Sequence, residues 1–132
     1  MKLYNIVESL ILESVNLDKI IDAIKNRYKV TIWYDGDEPN GKEYRGITPV
    51  CLGKSKAGNY VLRAWQEDGG SHRGFLGIRP LPSWRLFRVD KMYSFNIDRK
   101  NRQPIIATTA PPKYNPNGDK TMVSVTINAK FP

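Results

Sequence analysis

The chain has 132 residues, of which 40% are apolar and 26% charged, with a formal net charge of +8. That length supports one domain with a modest core, and the balance is that of a globular chain rather than a disordered or fibrous one. There is no run of about 18 apolar residues, which excludes a membrane-spanning helix. Glu8 and Glu13 interrupt the apolar pattern of the N-terminus and no small-residue cleavage site follows, so no signal peptide is expected. Cys51 is the single cysteine. An intrachain disulfide is therefore ruled out, and the cytoplasm is the expected compartment.

The charge is unevenly placed. Residues 1–41 hold 5 basic and 7 acidic side chains, residues 42–102 hold 13 and 5, and residues 103–132 hold 3 and 1. The positive excess thus lies in the middle of the chain, where a polyanion would meet it. Trp33, Tyr34, Tyr44, Tyr60, Trp65 and Trp84 are interleaved with arginines there. Single-stranded nucleic acid sites use that pairing for stacking, and sheet cores use the same aromatics for packing.

Residues 2–14 carry apolar side chains at helical spacing, through Leu3, Ile6, Val7, Leu10 and Ile11. Asn16 is a helix cap by type and place. Residues 17–27 repeat the spacing with Leu17, Ile20, Ile21 and Ile24. Neither helix presents the basic face of a DNA-reading unit.

Period-two alternation then predicts strands over Tyr28–Tyr34, Glu43–Leu52, Tyr60–Gln66, Trp84–Val89 and Tyr93–Ile97. Pro49 requires an edge position or a bulge in the second of these. The turn carrying Asp35, Asp37 and Glu38 lacks the further oxygen ligands of a calcium loop. The Gly53–Gly58 turn lacks the following helix of a phosphate loop. Residues 67–83 form a long loop with Ser71, His72, Arg73 and Arg79, and loops of that length are usually functional or mobile. Residues 98–118 have the composition of a proline-rich linker. Met122–Ile127 alternates as a final strand, placed in the same sheet or a neighbour's.

In the strand around Trp84–Val89, alternation sets Trp84, Leu86 and Arg88 on one face and Arg85, Phe87 and Val89 on the other. Arginine forks match phosphate geometry and stay charged at any working pH. Arg45, Arg73, Arg79, Arg85 and Arg88 are the candidates for an anion-binding surface, with Arg88 foremost. Catalysis is not expected. One His and one Cys do not make a metal site of the usual kind. Ser71-His72 is an adjacent pair rather than an oriented triad, and Cys51 reads as a buried residue. No cofactor and no metal are expected.

Four pieces, in order, resemble the WYL domain family: Val30-Thr31-Ile32-Trp33-Tyr34, Arg45-Gly46-Ile47-Thr48-Pro49, Tyr60-Val61-Leu62-Arg63-Ala64-Trp65 and Phe87-Arg88-Val89-Asp90-Lys91-Met92. At the family's namesake triplet stand Asn59, Tyr60 and Val61. The resemblance implies a small Sm-like, SH3-type β-barrel preceded by a helix; with the spacing read above, the expected fold is α+β, with two N-terminal helices (the first over 1–16), the barrel domain over 17–97, and an ordered extension over 98–132 ending in a strand. The resemblance also implies a ligand-sensing module of the kind found in bacterial and phage transcription regulators. The family's ligand-facing positions match Tyr60 and Arg88, with Arg45 and Arg85 beside them. About 20 residues precede the barrel, so a stand-alone module such as a phage encodes is expected, without a winged helix-turn-helix. The expected partner is single-stranded nucleic acid or a nucleotide-like ligand. The alternative is a protein partner held by a sheet edge or the 67–83 loop, and a homodimer is compatible with both.

Overall fold

The computed structural model describes residues 15–36, 42–69 and 80–132. The helix expected over 2–14, the tip of the turn after Asp35, and the centre of the 67–83 loop with Arg73 and Arg79 lie outside the described residues.

Helix α1 spans Leu17–Asn26. Asn16 caps it, its side-chain oxygen accepting the Asp18 N–H at 2.8 Å. Asp18 in the first turn and Lys25 in the last both complement the helix dipole. Ile20, Ala23 and Ile24 form the buried stripe. Arg27 ends the helix in the left-handed region (φ 58°), its N–H turned back onto the Ala23 and Ile24 carbonyls.

Six strands form one antiparallel sheet. They are β1 (Val30–Asp35), β2 (Lys42–Ser55), β3 (Tyr60–Gly69), β4 (Ser83–Arg88), β5 (Met92–Ile97) and, late in the chain, β8 (Met122–Asn128). The order is β4-β3-β2-β1-β5, with β8 also on β2. Strand β3 runs along one edge of β2 from Arg45 to Lys54. The other edge is shared: β1 covers Lys42–Ile47 and β8 covers Cys51–Ser55. Pro49 falls in the gap between them, at a bulge in the β3 ladder. Its missing N–H therefore costs no ladder bond in the middle of the sheet.

The inner face carries Ile32, Tyr34, Leu62, Ala64, Phe87 and Phe95, packed with the α1 stripe into one core. Burying a side chain such as Phe87 contributes roughly 2–3 kcal/mol.

The expected architecture of two helices and a small barrel is corrected by this topology. One helix is found among the described residues. The sheet path ends at β4 on one side and β5 on the other, and no ladder among the described residues joins those two. The β4–β5 connection, a 3-10 turn over Val89–Lys91, carries the chain from one end of that path to the other.

Residues 98–121 are ordered by specific bonds. Arg99–Lys100 (β6) pairs with Gln103–Pro104 (β7) in a small hairpin. Further on, the chain crosses the sheet. Trp84 Nε1–H donates to the Pro112 carbonyl at 2.8 Å, and Arg27 donates to the Ala107 and Lys130 carbonyls. Arg63 pairs with Asp119. Met122 and Ala129 then join the core. No described helix is long and apolar enough to cross a membrane.

Candidate functional site

Strand alternation decides where each candidate arginine goes. Val61 faces Arg88, Leu62 faces Phe87 and Ala64 faces Arg85 across the β3–β4 ladder. Arg85 is therefore carried to the inner face with Phe87, and is 8% exposed. Its guanidinium donates to the Ser83 hydroxyl and, at 3.2 Å, to the Trp84 carbonyl. Arg45 is 7% exposed. Its guanidinium lies 5.0 Å from the Tyr34 ring and 5.8 Å from the Phe87 ring, within cation–π range of both. Tyr34 and Phe87 meet edge to face at 4.8 Å. Arg45 thus sits towards the end of the β1–β2 ladder that closes at Asp35 and Lys42, with Gly36 packed on it.

Arg88 goes the other way. It is exposed, and its fork grips Asp90 with Nε–Oδ1 at 3.0 Å and Nη2–Oδ2 at 2.6 Å. The hydrogen bonds and charge of Asp90 raise its already high pKa. Its backbone N–H donates to the Tyr34 hydroxyl at 2.9 Å.

Tyr60 is half-buried at the start of β3, with the Lys54 ammonium 5.0 Å from its ring. It lines a cleft of about 380 Å³. The apolar wall is Val15, Leu17 and Val89, and the polar rim is Asn59 and Asp90. Asp90, the partner of Arg88, therefore belongs to the same cleft as Tyr60. The volume falls in the range of small-ligand sites.

The structure brings Tyr60 and Arg88 together through Asp90, and it carries Arg45 and Arg85 to the inner face. Arg73 lies outside the described residues. Lys54 and Asp90 were not singled out from the sequence as site residues. A hairpin partner and a carboxylate two residues past an arginine were the available signals for them.

Sequence reasoning also missed how the extension contributes. A second cleft, of about 260 Å³, lies between it and the outer side of the sheet, lined by Arg63, Trp84, Tyr114 and Asp119. Asp119 accepts the Thr121 N–H at 2.8 Å and hydroxyl at 2.6 Å. An Asp-x-Thr pattern is a local turn signal, and it says nothing of the distant Arg63 partner. Burial raises the pKa of Asp119, but the bonds from Arg63 and Thr121 outweigh it and the net shift is downward. Burial pushes the Cys51 thiol up to about 11, with Asp119 adding to the rise. Among the described residues no group of three His, Cys, Asp or Glu side chains stands close enough to hold a metal.

No protein-family model matches the chain, and no curated protein does either. Among solved structures, the chain is similar to proteasome accessory factor B/C (PafBC) of Arthrobacter aurescens. The TM-score is 0.51 at 17% identity, over 75% of this chain and 13% of that one. At that identity the likeness is one of fold, and it concerns a small part of a much longer protein.

Proposed function

We propose that this chain is a non-catalytic, ligand-binding regulatory module whose ligand is single-stranded nucleic acid or a nucleotide-like anion, taken at the Tyr60 cleft. The observation that carries this reading is a cleft lined by the Tyr60 ring and Asp90, with the Lys54 ammonium 5.0 Å from that ring and Arg88 paired to that carboxylate. A base stacks on Tyr60, and the phosphate is met by Lys54 and by Arg88 once its fork turns from Asp90 to the ligand. The fold likeness to part of PafBC, a WYL-domain-containing regulator, supports the regulatory half of the reading.

The test is fluorescence anisotropy with labelled single-stranded DNA, single-stranded RNA and duplex DNA at low and moderate salt. Single-strand-selective binding is expected, weakened more by Arg88→Ala than by Lys25→Ala, which removes an exposed charge from α1. Equal losses for the two variants would reduce the effect to diffuse charge.

A second reading, a module that docks a partner protein on a sheet edge, is favoured by one observation. Strand β8 pairs only with β2 among the described residues and exposes Val123 and Val125. A stoichiometric protein complex that survives high salt, with no nucleic acid binding, would favour it.

A further inference from the structure

The β6–β7 hairpin is a basic finger that the cleft does not use. Four successive residues, Arg99-Lys100-Asn101-Arg102, form its tip, and all are exposed. Arg99, Lys100 and Arg102 make no ion pair among the described residues. The base of the finger is clamped. Lys29 N–H donates to the Ile105 carbonyl, Asp98 N–H to the Lys29 carbonyl and Ile105 N–H to the Asp98 carbonyl, each at 2.8 Å. The Thr31 hydroxyl donates to the Asp98 carboxylate at 2.7 Å. The three charges are therefore presented on a fixed support rather than on a loose tail.

The turn itself carries the second observation. Asn101 and Arg102 both have positive φ, 53° and 66°, as a two-residue type I′ hairpin requires. Asn suits the first position. The second normally takes Gly, because a side chain there is strained. An arginine stands in that place with its side chain in solvent. Strain held at an exposed position points to a use for the side chain.

We infer that this hairpin is a backbone-contacting finger that grips the phosphates of a single-stranded nucleic acid, so that the ligand is a strand and not a lone nucleotide. The inference rests on the nucleic-acid reading above and extends it. The chemistry of the tip selects the partner. Arg99, Lys100, Asn101, Arg102 and Gln103 offer donors and positive charge and no apolar surface. A protein interface needs a desolvated apolar centre, and base stacking is carried chiefly by aromatic rings; the tip has neither. The sugar–phosphate backbone needs neither. Contact of this kind positions a strand without reading its sequence.

The experiment measures binding of labelled oligo-dT and oligo-U, each 20 nucleotides long, across a salt series. It uses the full chain, the Arg99→Ala/Lys100→Ala/Arg102→Ala variant and Arg88→Ala. Each phosphate contact contributes about 0.7 to the slope of log K against log salt on a single strand. Removing three should flatten the slope by about 2 on both strands, leaving binding of a mononucleotide such as AMP unchanged. An unchanged slope in the triple variant, with wild-type binding intact, overturns the finger and spares the cleft. A flattened slope with no effect of Arg88→Ala supports the finger and overturns the cleft. No binding of either strand by the wild type overturns both. Arg102→Gly separates function from folding: it relieves the turn and removes one contact. It should raise Tm while flattening the slope by about 0.7. A rise in Tm with no change of slope counts against the finger.

Discussion

The Tyr34 hydroxyl accepts the backbone N–H of Arg88 at 2.9 Å, joining two residues 54 positions apart. Tyr34 is buried against Phe87 and Arg45 on the inner face, while the Arg88 side chain leaves on the outer one. The bond ties the wall of the core to the rim of the cleft. Tyr34→Phe keeps the ring contacts and loses this bond. Stability should fall by about 1–2 kcal/mol in urea denaturation, since a donor is left without its acceptor. Anion affinity should fall with it, because Arg88 loses the anchor that fixes its backbone.

Asp90 competes with any anion for Arg88. The pair is exposed on both sides, with side-chain exposures of 45% and 55%, so breaking it should leave the thermal midpoint nearly unchanged. Asp90→Asn removes a negative charge from the cleft and frees the guanidinium. Affinity for single strands should rise several-fold at low salt. A fall in affinity would mean that Asp90 holds the arginine in its binding position.

The Arg63–Asp119 pair is well shielded, with side chains 22% and 8% exposed. Removing the carboxylate strands a half-buried guanidinium and releases the extension from β3. Asp119→Ala should cost about 3 kcal/mol and open the 111–121 segment to limited proteolysis. The pair also sets an acid limb. The pKa of Asp119 is depressed in the fold, so its stabilisation is complete above the unfolded value of about 3.9 and is lost as pH falls through the lower folded value. Asp119→Asn should flatten the stability profile in that acid range, as read by urea midpoints against pH.

Cys51 is buried in β2, its sulfur 3.6 Å from that of Met122. Burial holds its pKa at about 11 rather than the ordinary 9.0. The native thiol should react slowly with a disulfide reagent at pH 8 and react promptly in denaturant. Because the folded pKa is raised, its contribution is intact below the unfolded pKa and is lost as pH rises towards 11. Cys51→Ala should lose that alkaline limb while opening a small cavity.

Much of the sheet was legible because strand signals are local. Period-two alternation marked β1 to β5 and β8 within a residue or three of their ends. It also separated Arg85 from Arg88, since neighbours three apart on a strand must face opposite ways. Asn16 was legible as a cap because its side chain acts on a residue two positions on. Residues 98–121 were not legible as structure. Their order comes from partners far along the chain: Trp84 for Pro112, Arg63 for Asp119, Arg27 for Ala107. A polar, proline-rich stretch has no periodicity that could announce such partners.

The sequence by itself determined the charge, its concentration in the middle of the chain, the strands and the capped helix, because each depends on composition or on residues a few positions apart. The tertiary structure alone decided that the sheet path runs from β4 to β5, with no ladder among the described residues joining the two. It also decided that Arg45 and Arg85 are buried on aromatic and hydroxyl partners while Arg88 is held at a cleft by Asp90. The physical reason is that an arginine's fate depends on what lies within hydrogen-bonding reach in space, and that is fixed only when strands distant in sequence come into register.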